Sequence, residues 1–279
     1  MMPKIIVNTT FRDFVGDSND DMQIQFLKSL QRQTMQDFVL VVTIFAEKNV
    51  ENVVSKMLKH RCHFVYDGGG NYKFSLSKTF MNGVNYGLES AADILLDCSS
   101  DIILQKNFLE TVAQKCKTGY AGISHPNIFM ETDIRKRRMF VPGTIKEGID
   151  VRFYSLDIFK DRHVHELMER YPSYDYGAGI EYMLCGIAIK YAKRRVNIFM
   201  ESKVVKEVND RGDGVAVRGK QNSFMRQGYM RNLPVVKRFF MNENIPIKYM
   251  ELQHVNSMFK VTRNRLQYRV WTIRNSAKV

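Results

Sequence analysis

Asp93-Ile94-Leu95-Leu96-Asp97-Cys98-Ser99-Ser100-Asp101-Ile102-Ile103-Leu104-Gln105-Lys106-Asn107-Phe108-Leu109-Glu110 is the stretch on which the fold turns. An apolar run up to Cys98 reads as a buried strand, and Phe108 onward reads as a helix. Between them lie Asp97, Ser99, Ser100 and Asp101, acidic and hydroxyl side chains just past the end of a strand. In an open α/β sheet that is where ligands bind. Carboxylates there can hold a hard divalent cation whose other positions go to phosphate oxygens and water. The plainer reading of the same residues is a helix-capping turn, with Asp101 or Asn107 as the cap.

Upstream, the pattern is a regular alternation. Lys4 to Thr10 reads as a first strand built on Ile5-Ile6-Val7. Met22, Phe26, Leu27 and Leu30 recur at helical spacing, predicting a helix that ends near Gln33. Phe38 to Phe45 is a second buried strand, rich in β-branched residues. Val50, Val53, Val54, Met57 and Leu58 mark a second helix. His63 to Tyr66 is a third strand, closed by the turn signal Asp67-Gly68-Gly69-Gly70. Ser77 to Ala92 is helical, with Phe80, Val84 and Leu88 on one stripe. Strands and helices in strict alternation predict a parallel sheet with helices on both faces.

Downstream, the regularity fades. Gly119 to Asp133 reads as short strand-like pieces, Arg135 to Arg138 as a basic loop, and Val151 to Ile158 as a strand. Gly179 to Arg194 reads as a helix, Val196 to Met200 as a strand, and Phe224 to Asn242 as a further helix. Lys203 to Gly214, read from its residues alone, is a charged turn between the strand and the tail.

The composition bounds what the chain can be. Its 279 residues are 44% hydrophobic, enough for a sizeable core. No apolar run reaches the roughly 20 residues that span a bilayer, and the first residues lack a signal-peptide pattern. A cytoplasmic protein is expected. Four scattered cysteines argue against a disulfide framework or a zinc cage. His60, Cys62 and His63 lack a second ligand cluster and read as strand residues. The net charge is +13. Thirteen Lys and Arg against Glu243 and Glu251 put most of that excess beyond Val215. Such a tail favours anionic partners. Its bulky apolar residues, Phe224, Met225, Tyr229, Met230, Phe239, Phe240 and Met241, are open to two readings. They suit a helix lying on a membrane surface, or they pack onto the rest of the protein. Nucleic acid is disfavoured because no binding module is recognisable. No phosphate loop, dinucleotide fingerprint or nucleophile elbow is present, which disfavours kinases, nicotinamide enzymes and serine hydrolases.

The 93–110 stretch resembles the metal-binding segment of inverting family 2 glycosyltransferases with the GT-A fold. There a hydrophobic strand ends in Asp-x-Asp, followed by an aliphatic pair and a Phe-Leu-Glu-like helix start. Ile5 to Arg12 resembles the family's first strand and its nucleotide-contacting loop. Phe26 to Phe38 is similar to its "SL..QT..DF" passage, and Ser77 to Val84 to the segment closing over the diphosphate. The resemblance covers residues 4 to 118 well and continues more weakly to about 210. No literal Asp-x-Asp is present: alignment on the downstream spacing gives Ser99-Ser100-Asp101, and alignment on the strand gives Asp97-Cys98-Ser99.

The resemblance implies a mixed, mostly parallel GT-A sheet flanked by helices, with a basic, partly helical C-terminal extension. Residues 1–214 would form the catalytic domain, 1–118 the nucleotide-sugar-binding half and 119–214 the acceptor half, with 215–279 appended. It implies transfer of a sugar from a nucleotide-diphosphate sugar, UDP-sugar favoured, to a hydroxyl on a glycan, lipid-linked glycan or protein. Asp101 would hold Mn²⁺ or Mg²⁺. Thr9, Thr10, Arg12, Asp67, Lys78, Asn82, Asp97, Ser99, Ser100 and Arg211 would contact the donor. Glu181, opening a late helix, or Asp175 just before it would be the general base. The other class of function left open is a non-catalytic binding protein on a degenerate GT-A scaffold, docking anionic surfaces through its tail.

Overall fold

The computed structural model describes residues 3–11, 22–44, 49–59, 61–66, 76–100, 102–132, 137–140, 151–171, 180–208 and 234–246. Four strands and three helices alternate first: β1 (Ile5–Thr10), α1 (Met22–Gln31), β2 (Phe38–Ile44), α2 (Val50–Leu58), β3 (Cys62–Tyr66), α3 (Leu76–Glu89) and β4 (Ile94–Cys98). All four strands pair in parallel, in the order β3-β2-β1-β4. The chain grows outward from β1 through β2 and β3, then α3 returns it to the other side of β1. The crevice between the C-terminal ends of β1 and β4 is therefore the switch point of the sheet, where such folds bind ligands.

After α4 (Phe108–Lys115) come β5 (Tyr120–Thr132), β6 (Arg137–Phe140) and β7 (Val151–Ser155). β7 inserts antiparallel between β4 and β5. A 3-10 turn at Leu156–Lys160 leads into α5 (Arg162–Glu169), then α6 (Ile180–Lys190) and β8 (Arg194–Val208), which pairs in parallel with β5. A final helix, α7, spans 234–242.

Alternation along each strand sends side chains to two cores. Ile5, Val7, Leu40, Val42, Ile94 and Leu96 meet α1, α2 and α4 on one face. Ile6, Val41, Leu95 and Tyr154 meet α3, α5, α6 and α7 on the other. The helices thus cover both faces, as the alternating pattern predicts.

The structure departs from the sequence reading in five places. Arg137 and Arg138, read as part of a basic loop, open strand β6 and pair with Thr132 and Glu131 of β5. Gly119 to Asp133 contains one 13-residue strand, β5, instead of several short pieces. Pro126 interrupts the sequence pattern, but the ladder to β8 absorbs it with a register shift between Pro126 and Asn127. The strand at Val151 ends at Ser155, because Leu156, Ile158 and Phe159 turn their side chains into the core through the 3-10 turn. Helix α5 escapes a reading based on apolar runs because five of its eight residues are charged or histidine. Its signals are the Asp161 cap, whose carboxylate accepts from the N–H groups of His163 and Val164, and the buried pair Val164 and Met168. Lys203 to Val208 belongs to β8, so the charged-turn reading fails for that part.

Helix α7 settles part of the tail. Val236, Phe239, Phe240 and Ile245 are buried in the second core, while Met241 is 64% exposed. Apolar residues of this segment therefore pack onto the protein. Phe224, Met225, Tyr229 and Met230 lie outside the described residues. Glu243 fastens the end of the segment: Oε1 pairs with His163 Nε2 at 2.6 Å, and Oε2 accepts from Tyr191 Oη at 2.7 Å. Burial pushes the Glu243 carboxyl up, but the hydrogen bonds from His163 and Tyr191, and the charges of His163 and Lys190, outweigh it and hold it below the usual range. A depressed carboxylate stabilises the fold above its unfolded pKa, and the contribution is lost as pH falls through the folded value. Glu243→Gln is expected to lower stability by about 2 kcal/mol near neutral pH. That gap should close as the pH falls below the usual carboxylate range, as read by denaturant melts across pH.

Candidate functional site

The switch crevice carries a row of three polar side chains on the α3 side of the sheet. Asn8, Asp97 and Arg152 are register partners across β1, β4 and β7. Asn8 Nδ2 donates to Asp97 Oδ1 at 3.0 Å, and Arg152 Nε and Nη2 donate to Asp97 Oδ2 at 3.2 and 2.5 Å. The ion pair is nearly buried, with side-chain exposures of 12% and 13%. Both oxygens of Asp97 are thus engaged inside the protein. Where the sequence left Asp97 either ending the strand or touching the nucleoside, the structure shows an ion-paired residue at the strand end.

Helix α3 closes over this row. At Gly83 a Cβ would fall 2.5 Å from Asn8 Cγ, so only glycine lets the helix sit this close to β1. At the adjacent position, Asn82 Nδ2 donates to Thr43 Oγ1 at 2.9 Å, tying α3 to the end of β2. Lys78 stands exposed in the first turns of the same helix. Of the β1 hydroxyls, Thr9 is 2% exposed and belongs to the wall, whereas Thr10 is half-buried and accessible. Beyond β4, Ser99 and Ser100 are half-buried, and Ser100 Oγ lies 3.5 Å from Gln23 Oε1 on α1. Thr10, Asn82, Asp97, Ser99 and Ser100 therefore belong to strand ends and a helix that border one crevice.

Arg12, Asp67, Asp101, Asp175 and Arg211 lie outside the described residues. Glu181 is the second residue of α6, directly after the buried Ile180, and its side chain is outside the description. Among the described residues, no three His, Cys, Asp or Glu side chains come together in a way that could hold a metal ion. Asp97 is taken by Arg152 and Asn8. Among the described residues, no helix is long and apolar enough to cross a membrane.

The residue that sequence reading missed is Arg152. Its neighbours Val151 and Phe153 mark it as one polar position on a strand, but nothing local says that the strand lands beside β4.

No protein-family model matches the sequence, and no curated protein matches it. Among solved structures, S. aureus TarS superposes with a TM-score of 0.57 at 11% identity, over 92% of this chain and 43% of that one. The chain thus spans less than half the length of TarS. The mannosyltransferase PcManGT from Pyrobaculum calidifontis, solved with GDP-Man and Mn²⁺, gives 0.49 at 12% identity, covering 95% and 74%. The 1–349 portion of TarS, solved with UDP, gives 0.49 at 12%, covering 95% and 91%. The first of these carries the likeness. At such identity it is one of fold: a mixed, mostly parallel GT-A sheet, as the sequence resemblance implied.

Proposed function

We propose that the chain transfers a sugar from a nucleoside-diphosphate sugar to a hydroxyl acceptor, with inversion at the anomeric carbon. The observation that carries this reading is the polar crevice at the β1/β4 switch point of a GT-A sheet. Thr10, Arg12 and Asp67 would line the nucleoside end, with Thr9 in the wall behind them. Lys78 and Asn82 of α3, with Ser99, Ser100 and Arg211, would face the diphosphate. Asp101 would hold Mn²⁺ or Mg²⁺, and such a cation would supply charge stabilisation to the departing diphosphate. Glu181, or Asp175 before it, would remove the acceptor proton while the acceptor oxygen attacks and the nucleoside diphosphate leaves from the opposite face. The sugar donors favoured by this reading are UDP-sugars.

Residues 1–214 are read as the catalytic domain and 215–279 as an extension whose described part, 234–246, packs against it. Lys237 and Arg238 remain exposed on α7 and would add to a contact with an anionic membrane face on the cytoplasmic side. The second reading, a binding protein on a degenerate scaffold, is favoured by the engagement of Asp97, which leaves Asp101 as the single motif carboxylate.

Calorimetry on two variants tests the metal assignment. Asp101→Asn is expected to weaken Mn²⁺-dependent donor binding by at least about tenfold, since a hard cation prefers carboxylate to amide. Asp97→Asn is expected to lower stability more than donor affinity, because its ion pair is internal. Equal losses of donor affinity, or a larger loss at Asp97, would reverse the assignment.

A further inference from the structure

A cleft of about 390 Å³ opens at the opposite end of the sheet, where β4 begins and β7 ends. Its walls include Ile94, Cys116, Lys117, Thr118, Asp157 and Lys160. Four residue steps of β4 separate Ile94 from Cys98, so the cleft lies about 13 Å from the candidate site. The size is in the range of small-molecule pockets, about 300–1,000 Å³.

Its charges are arranged unusually. Two carboxylates and two lysines share the cleft, yet they do not pair with each other. Asp157 Oδ1 accepts from the Gly119 N–H at 2.9 Å and from Ser155 Oγ, and Asp93 Oδ2 accepts from the Lys4 N–H at 2.8 Å. Asp157 Oδ2 and Asp93 Oδ1 have no hydrogen-bond donor among the described residues. Lys117 and Lys160 are exposed and make no ion pair among the described residues. Lys193 lays its stem against Gly119, where a Cβ would lie 2.7 Å from its Cδ, so a third cation reaches the same end. Arg194 follows it, opposite Tyr120. Lys115 and Lys190 sit in the last turns of α4 and α6 and answer the helix dipoles. Lys117, Lys160, Lys193 and Arg194 lie beyond those turns and have no such task.

We propose that this cleft binds a small phosphate ester that also carries hydroxyl groups, such as a sugar phosphate. Lys117 and Lys160, with Lys193 beside them, hold the phosphate. Asp157 Oδ2 and Asp93 Oδ1 accept from the ligand's hydroxyls. A flat anionic surface fits less well, because the cleft is concave and its carboxylates repel anything uniformly negative. Burial first, then the charge of Asp157, push the Cys116 thiol up to about 12, so it stays protonated.

Glucose 6-phosphate is the probe, titrated into the full chain by calorimetry with inorganic phosphate and glucose as separate arms. Saturable binding is expected for the ester, weakened at least about tenfold by Lys117→Ala with Lys160→Ala, and unchanged by Asp101→Asn in the candidate donor site. Both lysines are exposed, so the double variant should keep its melting behaviour. Absence of saturation up to about 10 mM would overturn the proposal. So would ester binding indifferent to the lysines, or lost in Asp101→Asn. Inorganic phosphate binding as tightly as the ester would overturn the role of the carboxylates.

Discussion

Arg152→Ala is expected to cost about 3–5 kcal/mol of folding stability, the largest loss of any single substitution at the switch crevice. The guanidinium gives Asp97 two hydrogen bonds in a setting where little water reaches either group. Removing it leaves a nearly buried carboxylate with only Asn8 as a donor. Replacing the whole pair behaves differently: Arg152→Met with Asp97→Leu removes both charges together and should recover most of the loss, since well-packed apolar groups replace buried ion pairs at little cost. Urea unfolding of the single and double variants separates these outcomes. A loss below about 1 kcal/mol in Arg152→Ala would mean that the pair behaves as a solvated surface contact, against the geometry described.

Glu181→Gln is expected to lower turnover by about 10²–10⁴-fold while leaving donor affinity within about twofold. A glutamine keeps the size of the side chain and its place near the positive end of α6, but it cannot accept a proton. Asp175→Asn is the comparison. If Glu181 is the base, the asparagine variant retains most of its turnover. A large loss in Asp175→Asn beside a mild one in Glu181→Gln would transfer the role. Equal donor binding by calorimetry in all three proteins separates a chemical defect from a binding one.

The parallel half of the fold was legible because its signals are local. Ile5-Ile6-Val7, Phe38 to Ile44 and Ile94 to Cys98 are short buried runs separated by helical stripes, and the alternation alone specifies parallel pairing. The second half depends on long-range pairing. Arg152 meets Asp97 from 55 positions away because β7 inserts between β4 and β5, and no pattern within either segment encodes that neighbour. Helix α5 stayed hidden because its apolar stripe is short, Val164 and Met168 with the partly buried Leu167, and its remaining stability comes from the Asp161 cap. At the site, residue types at the β4 end were readable, but their state was not. Asp97 looks like a ligand-binding carboxylate in sequence and is held by Asn8 and Arg152 in the structure.

The central claim, that this crevice binds a nucleoside-diphosphate sugar, is tested most directly by a thermal-shift screen of the wild-type chain. UDP-, GDP-, CMP- and dTDP-sugars are each added with and without Mn²⁺. Selective binding at about 100 times Kd stabilises the fold by about 2.7 kcal/mol. A rise in Tm for one nucleotide class, with UDP-sugars expected, that needs the cation and disappears in Asp101→Asn is the predicted result. No shift with any of the four donors, with or without Mn²⁺, would contradict the account.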